Sequence, residues 1–268
     1  MKITVFTSNQ PRHVALINSL SDFADETFAF LECSTLLPGI VPDFYSSSPT
    51  MGEYMNQVRI AELAQFKKRQ YILPRAQILP MKSGDLSYLP HELVEEALQS
   101  DFYLVFGSSY IKGWLIDFLV EQGAFNIHMG LSPYYRGSSC NFWAMYDSLP
   151  NYVGATIHHL SAGLDSGPII FHSTPTYEGE NVHGFTMKAV KKAQEDLLYF
   201  LANKSRINYK PVQQDKSVEI RYTRKDDFTD EIAKSFLDRN LTPSELEKLI
   251  NKSRKPDLIH LAGIEWKS

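Results

Sequence analysis

Residues 101–130 read DFYLVFGSSYIKGWLIDFLVEQGAFNIHMG, and this stretch decides the fold class. Phe102 to Phe106 is an unbroken apolar and aromatic run, the pattern of a strand buried on both faces of a parallel sheet. Gly107-Ser108-Ser109 interrupts it, residues 113–121 carry apolar side chains at helical spacing, and residues 124–128 return to a strand. Strand, helix and strand in that order form a βαβ unit, which requires a parallel sheet with its crossover helix packed on one face.

The same alternation extends upstream. Residues 3–7 are β-branched or aromatic, and Pro11 stands where the first turn of a helix tolerates a missing N–H. Val14, Leu16, Ile17 and Leu20 follow at helical spacing, with a strand expected at 27–32 and a Pro/Gly/Ser-rich loop from Pro38 to Pro49. A helix is expected over 52–69, a short strand over 77–81 and a helix over 91–99. Downstream, a helix through Phe142, Met145 and Tyr146 precedes a strand at 153–159, a turn at 162–167, a strand at 168–173 and a long helix over 182–202.

The expected architecture is therefore α/β: a Rossmann-like, mostly parallel sheet with helices on both faces over residues 1–204. Residues 205–268 read as a short C-terminal α/β appendage, with a strand at 217–223 and a helix opened by the capping box Thr242-Pro243-Ser244-Glu245.

Composition narrows the functional classes. The chain has 268 residues, which at about 150 per domain is one large or two small domains. Lys plus Arg number 27 and Asp plus Glu 31, a net charge of −4, without the basic excess of a nucleic-acid binder. Two cysteines, Cys33 and Cys140, rule out a disulfide framework and a Cys-rich zinc site and fit a reducing compartment. No apolar stretch approaches a membrane span, and the N-terminal apolar run is too short for a signal peptide. The expectation is a soluble, cytoplasmic protein.

Three local patterns carry chemistry. Asn126 and His128 lie two apart at the end of a strand, so an amide and an imidazole project from one face at the carboxyl edge where α/β sheets bind ligands. Asp165 is flanked by Gly163 and Gly167 in a tight turn, and Arg136-Gly137 follows the Asn/His strand closely. His158, His159, His172 and His183 have neither thiolate neighbours nor an H-E-x-x-H spacing. Strand alternation also puts His158 and His159 on opposite faces, so no metal is expected. Neither a dinucleotide fingerprint nor a P-loop occurs.

Taken in order, Asn126-x-His128, then Pro133-x-Tyr135-Arg136-Gly137, then His159-x5-Asp165-x-Gly167, resembles the folate-dependent formyltransferase family over about residues 101–200. The resemblance implies a formyltransferase fold, a catalytic set of Asn126, His128 and Asp165, and 10-formyltetrahydrofolate as co-substrate. It implies attack by a neutral amine through a tetrahedral intermediate stabilised by Asn126 and protonated His128, with Asp165 orienting the imidazole. It places the pterin against Ser109, Tyr110, Ile111 and Lys112 and against the loop Leu160, Ser161, Ala162, Gly163 and Leu164, with Leu115 and Ile116 as apolar walls.

Among acceptors, the resemblance is greatest to sugar-nucleotide N-formyltransferases of surface polysaccharide (O-antigen) synthesis, which combine a complete catalytic domain with a short extension. The implied partner is a nucleotide-linked amino sugar, with Asn9, Arg12, Arg136, Gly137, Tyr222 and Arg224 as candidate substrate contacts. A homodimer stays open. The first loop, Thr7 to His13, lacks the glycines of the ribonucleotide enzyme's phosphate cradle, which counts against glycinamide ribonucleotide. The alternatives are a methionyl-tRNA or glycinamide ribonucleotide formyltransferase, a 10-formyltetrahydrofolate hydrolase, and a binding module without turnover.

Overall fold

In a computed structural model that describes residues 1–67, 71–73, 75–261 and 265–266, the elements run as follows. The N-terminal half comprises β1 (Lys2–Ser8), α1 (Pro11–Phe23), β2 (Glu26–Cys33), α2 (Pro49–Gln65), β3 (Ala76–Lys82), β4 (Phe102–Phe106), α3 (Trp114–Glu121) and β5 (Phe125–His128). Then come β6 (Tyr135–Gly137), α4 (Cys140–Tyr146), β7 (Ala155–His159), β8 (Ile169–Ser173) and α5 (Val182–Asn203). The C-terminal part holds β9 (Ile207–Asn208), β10 (Arg221–Thr223), α6 (Asp230–Leu237), α7 (Pro243–Lys252) and β11 (Glu265–Trp266).

The main sheet has the order β3-β2-β1-β4-β5-β7-β8. Its first five strands are parallel, and β7 and β8 complete it in antiparallel fashion. The chain proceeds one way from β1 to β3 and the other way from β4, so the carboxyl ends of β1 and β4 flank the switch point at which such sheets bind ligands. Alternation in β1 sends Ile3 and Val5 into one core, with Leu16, Ile17, Phe125, Leu197 and Phe200. Phe6 goes to the opposite face, with Phe28, Phe30, Val105, Leu115 and Leu119. Helices thus cover both faces.

Among the described residues, the C-terminal part forms no core of its own. Phe228, Ala233, Phe236 and Leu246 pack into one cluster with Phe142, Trp143, Met145 and Tyr152. The strand β10 pairs in parallel with β6, Tyr222 lying opposite Arg136 and Thr223 opposite Gly137. Gly137 makes that pairing possible: its φ is +89°, and a Cβ there would lie 2.0 Å from the Thr223 carbonyl oxygen. Gly137→Ala is expected to cost at least ~2 kcal/mol of stability, read as a lower denaturant midpoint. An unchanged midpoint would count against so tight a junction.

Three expectations need correction. Residues 91–99 form a 3-10 turn at His91–Leu93 followed by further turns, not an α-helix. Side chains from the sheet take the carbonyls a helix would need: the Thr4 hydroxyl donates to Ala97 O at 2.6 Å, and the Tyr103 hydroxyl donates to Leu98 O. The helix expected at 52–69 begins earlier, at Pro49, where the Ser48 hydroxyl accepts from Met51 N at 3.1 Å. It ends at Gln65, and positions 68 and 69 lie outside the described residues, as do 262–264, 267 and 268 of the appendage. Of the strand expected at 217–223 only Arg221–Thr223 forms, and α6, capped by Thr229, was not anticipated. Among the described residues no helix is long and apolar enough to cross a membrane.

Candidate active site

Asn126 and His128 end β5, and β7 runs antiparallel beside them with His158 opposite Asn126. The β7–β8 connection then carries Asp165 back over the strand ends. Asp165 has a φ of +46°, a left-handed conformation that Asp tolerates better than most side chains. Gly167 permits the return, since a Cβ there would sit 1.7 Å from His159 O.

Asp165 Oδ1 lies 3.2 Å from His128 Nδ1 and 3.3 Å from Asn126 Nδ2, and its Oδ2 accepts from Gly137 N at 3.3 Å. His128 Nε2 lies 3.1 Å from the carbonyl of Tyr135. With an acceptor at each ring nitrogen, both donate and the ring is an imidazolium. Burial opposes that charge most strongly, but the charge and hydrogen bond of Asp165, together with those of Cys140, outweigh it and hold His128 well above its ordinary value. For Asp165 itself, burial alone would raise the carboxyl; the attraction and hydrogen bond of His128 prevail and lower it.

The second Asn126 N–H points to His158 Nε2 at 3.0 Å. The other nitrogen of His158, Nδ1, lies 2.7 Å from His159 O and donates to it, which leaves Nε2 as an acceptor. Burial pushes His158 down to about 4, so it stays neutral at physiological pH. His158 thereby fixes which way the Asn126 amide faces.

Two chambers meet at this cluster. The first, about 370 Å³, is bounded by Val105 to Ile111, Ile116, Asn126, His158, Leu160 and Gly163 to Asp165. The second, about 290 Å³, is bounded by Tyr45, Tyr54, Met55, Cys140, Phe142, Met145 and other largely apolar side chains. His128, Met129 and Gly137 line both.

Residues 96–201, which contain all three clustered residues, match the family model described as Formyl transferase. This segment is similar to the formyl transferase family. A curated relative, methionyl-tRNA formyltransferase of Lachnospira eligens, is 31% identical over 133 residues, covering 48% of this chain. The match spans only 40% of that relative's length. Among solved structures, a 4-N formyltransferase from Francisella tularensis superposes with a TM-score of 0.53 at 19% identity, covering 85% of this chain and 77% of that one. The formyltransferase PseJ from Anoxybacillus kamchatkensis gives a TM-score of 0.51 at 16% identity, covering 95% of this chain and 100% of that one. At these identities the likeness establishes the fold.

Within this matched segment, Ser109, Tyr110, Ile111, Leu160, Ser161, Gly163, Leu164 and Ile116 line the first chamber. Lys112 and Ala162 are not among its lining residues. The Ala162 carbonyl instead accepts from the Tyr110 hydroxyl at 2.8 Å, and Lys112 lies over the Tyr110 ring. Leu115 is buried in the core behind Ile116.

The candidate substrate contacts divide differently. Arg136 is engaged by the chain itself: it donates to Asp165 O at 3.3 Å, Leu164 O at 3.0 Å and Glu219 Oε2 at 3.0 Å, so it braces the Asp165 loop. Asn9 donates to Ser34 O at 2.8 Å, and Arg12 pairs with buried Glu62 at 2.7 Å. Side chains of Asn9, Gln10 and His13 are buried in and beside the loop after β1. Tyr222 stacks under Arg136, with 5.7 Å from guanidinium to ring, and Arg224 is exposed. Neither lines a chamber.

Sequence reading missed His158. Of the adjacent pair it is His158 that joins the cluster, while His159 turns to the other face with Nδ1 on Gly123 O at 3.0 Å. Glu32 was also missed. It is buried, and it accepts from Ser109 N at 2.5 Å and Gly84 N at 2.6 Å, fixing the loop after β4. Among the described residues, no group of three or more His, Cys, Asp or Glu side chains is placed to hold a metal.

Proposed function

We propose that this protein transfers the formyl group of 10-formyltetrahydrofolate to the amine of a nucleotide-linked amino-deoxy sugar. One observation carries the reading: Asn126, His128 and Asp165 cluster where two chambers share a wall, so two reactants can meet across an imidazolium and an amide. The first chamber suits a pterin in its chemistry, with apolar walls at Val105, Ile111 and Ile116 and polar main-chain edges at 107–110 and 160–164. Ser109 N is taken by Glu32, so the pterin's partners there are other edges of the same loop.

10-Formyltetrahydrofolate supplies an activated formyl carbon. As an amine adds to it, negative charge grows on the formyl oxygen, and the charged His128 ring and the Asn126 amide stand nearby to meet it. Donation by Asn126 exchanges its longer contact, to Asp165, for the oxygen; active-site hydrogen bonds commonly tighten or exchange in this way when substrate arrives. His158 keeps the amide nitrogen, rather than its oxygen, on the Asp165 side. Asp165 keeps the imidazole charged and offers an acceptor for a proton leaving the amine, directly or through water; as the tetrahedral carbon collapses, its bond to N10 breaks and N10 takes up a proton in exchange, releasing tetrahydrofolate.

The sugar acceptor is supported by three features. The filled first loop leaves no glycine cradle for a ribonucleotide phosphate. The net charge of −4 is ill suited to a polyanion such as transfer RNA. The PseJ structure, in complex with UDP-4,6-dideoxy-4-formamido-L-AltNAc and tetrahydrofolate, extends along the whole of its chain with the same fold.

Incubation with 10-formyltetrahydrofolate and a panel of amino-sugar nucleotides tests the reading. Amine-dependent release of tetrahydrofolate is expected. Release that ignores the amine would point to a hydrolase, and binding without release to a module without turnover.

A further inference from the structure

Asp165 reaches His128 by way of a turn whose backbone is unfavourable. Its φ of +46° lies in the left-handed region, which a residue other than glycine keeps where its surroundings impose it. Inside the turn the Ser161 hydroxyl donates to Gly163 O at 3.0 Å and meets Ser166 Oγ at 3.0 Å. The carbonyls around the carboxylate are taken from outside the turn. Arg136 donates to Leu164 O at 3.0 Å and to Asp165 O at 3.3 Å. A shorter bond to Asp165 O, 2.9 Å, comes from Nε2 of Gln214, which also donates to Gly167 O at 2.8 Å. One carboxamide thus ties together the residues on either side of Ser166 with its two N–H groups. Reversing the amide would set its oxygen against two carbonyl oxygens, so its orientation is fixed.

Gln214 is delivered by the C-terminal part. Val212 exchanges two main-chain hydrogen bonds of 2.8 Å with Ile169 at the start of β8, and the antiparallel course brings Gln214 beside Gly167 two residues later. The chain then turns at Lys216–Val218, where Asp215 accepts from Ser217 N at 2.8 Å. Glu219 pairs with Arg136 at 3.0 Å before β10 joins β6. Residues 212–219 therefore grip the Asp165 turn twice, directly at Gln214 and again through Arg136. We propose that Gln214 is a positioning residue: by closing the turn across Asp165 and Gly167 it holds the Asp165 carboxylate against His128 and Asn126, and so makes the C-terminal segment part of the catalytic site. One carboxylate oxygen must satisfy His128 at 3.2 Å and Asn126 at 3.3 Å together. A displacement of about 1 Å in such an arrangement is enough to cost as much as ~100-fold in rate. The effect on turnover rests on the formyl-transfer reading, whereas the hold on His128 does not.

Two variants of the full-length protein test this. Gln214→Met keeps the length and volume of the side chain and has no donor; Gln214→Asn keeps the amide but is too short to reach both carbonyls. The pKa of His128 is read by NMR titration of its ring, with the groups that face it, Asp165, Cys140 and neutral His158, left in place. In both variants it is expected at least ~0.5 below the parent value, because the carboxylate is held less closely. Turnover with 10-formyltetrahydrofolate and an amino-sugar nucleotide is expected to fall at least ~10-fold. In an Asp165→Asn background, Gln214→Met is expected to add less than about 2-fold, since its effect passes through Asp165. A lowered His128 pKa in a protein that transfers no formyl group would defeat the transfer reading and leave the positioning role supported. A parent-like His128 pKa in both variants, or an equal loss of turnover in the Asp165→Asn background, would overturn the proposal.

Discussion

Asp165→Asn is expected to lower turnover at least ~100-fold, with the alkaline limb of its pH–rate profile moved to lower pH. The variant keeps the shape of the side chain and removes its charge. His128 then sits in a buried place without the counter-ion that most opposes the effect of burial, so the ring loses its proton at a lower pH. A neutral ring supplies less stabilisation to a developing oxyanion, and the carboxylate that would take the amine's proton is gone. Kinetics across pH 5–10, measured beside the parent protein, check both parts. Parent-like turnover with an unmoved limb would refute the assigned role.

The same pair makes stability pH-dependent. His128 is raised above 6.5, so its contribution is complete below that value and is lost as pH rises through the folded-state pKa. Asp165 is lowered below 3.8, so its contribution is present above that value and is lost as pH falls through its own folded-state pKa. The pair therefore stabilises most between the two.

Asn126→Ala is expected to cost about 10²–10³ in kcat, the usual loss for one oxyanion donor, with a smaller change in KM. The effect is directional, since the amide has no charge to contribute. The variant also strands His158 Nε2 without its donor, so a modest loss of stability accompanies the kinetic one. Because Asn126 is only partly buried, the fold survives. His128→Asn, which removes the imidazolium and keeps a hydrogen-bonding group, is expected to fall by at least ~100-fold as well. Near-normal turnover in both would leave the cluster without a catalytic role.

Legibility in the sequence followed the range of the forces involved. The parallel strands were readable because burial on both faces imposes a continuous apolar run on each, and Phe102–Phe106 shows it most clearly. The N-caps at Thr242 and Pro11's place at the head of α1 were readable because capping is decided within four residues. Residues 91–99 were misread for the opposite reason: Thr4 and Tyr103, from strands on the other side of the loop, claim the carbonyls at 97 and 98.

The candidate site shows the same division. Asn126 and His128 share a strand face by period-two geometry, so their convergence was local and legible. The choice of His158 over His159 depends on antiparallel register between β5 and β7, which neither strand encodes alone. Arg136 shows the limit from the other side. Its place beside Gly137 suggested substrate binding, and only the folded chain reveals three internal acceptors for its guanidinium.

By itself the sequence determined the α/β class, the strand-end position of the amide–imidazole pair and the turn that frees Asp165, because periodicity, strand alternation and glycine conformation act over a few residues. The tertiary structure decided that Asp165 reaches His128, that Glu62 pairs with Arg12, and that the C-terminal part closes on Gly137. Each of those depends on two or more segments arriving at one point, and the energy of such a meeting is written in no single stretch of chain.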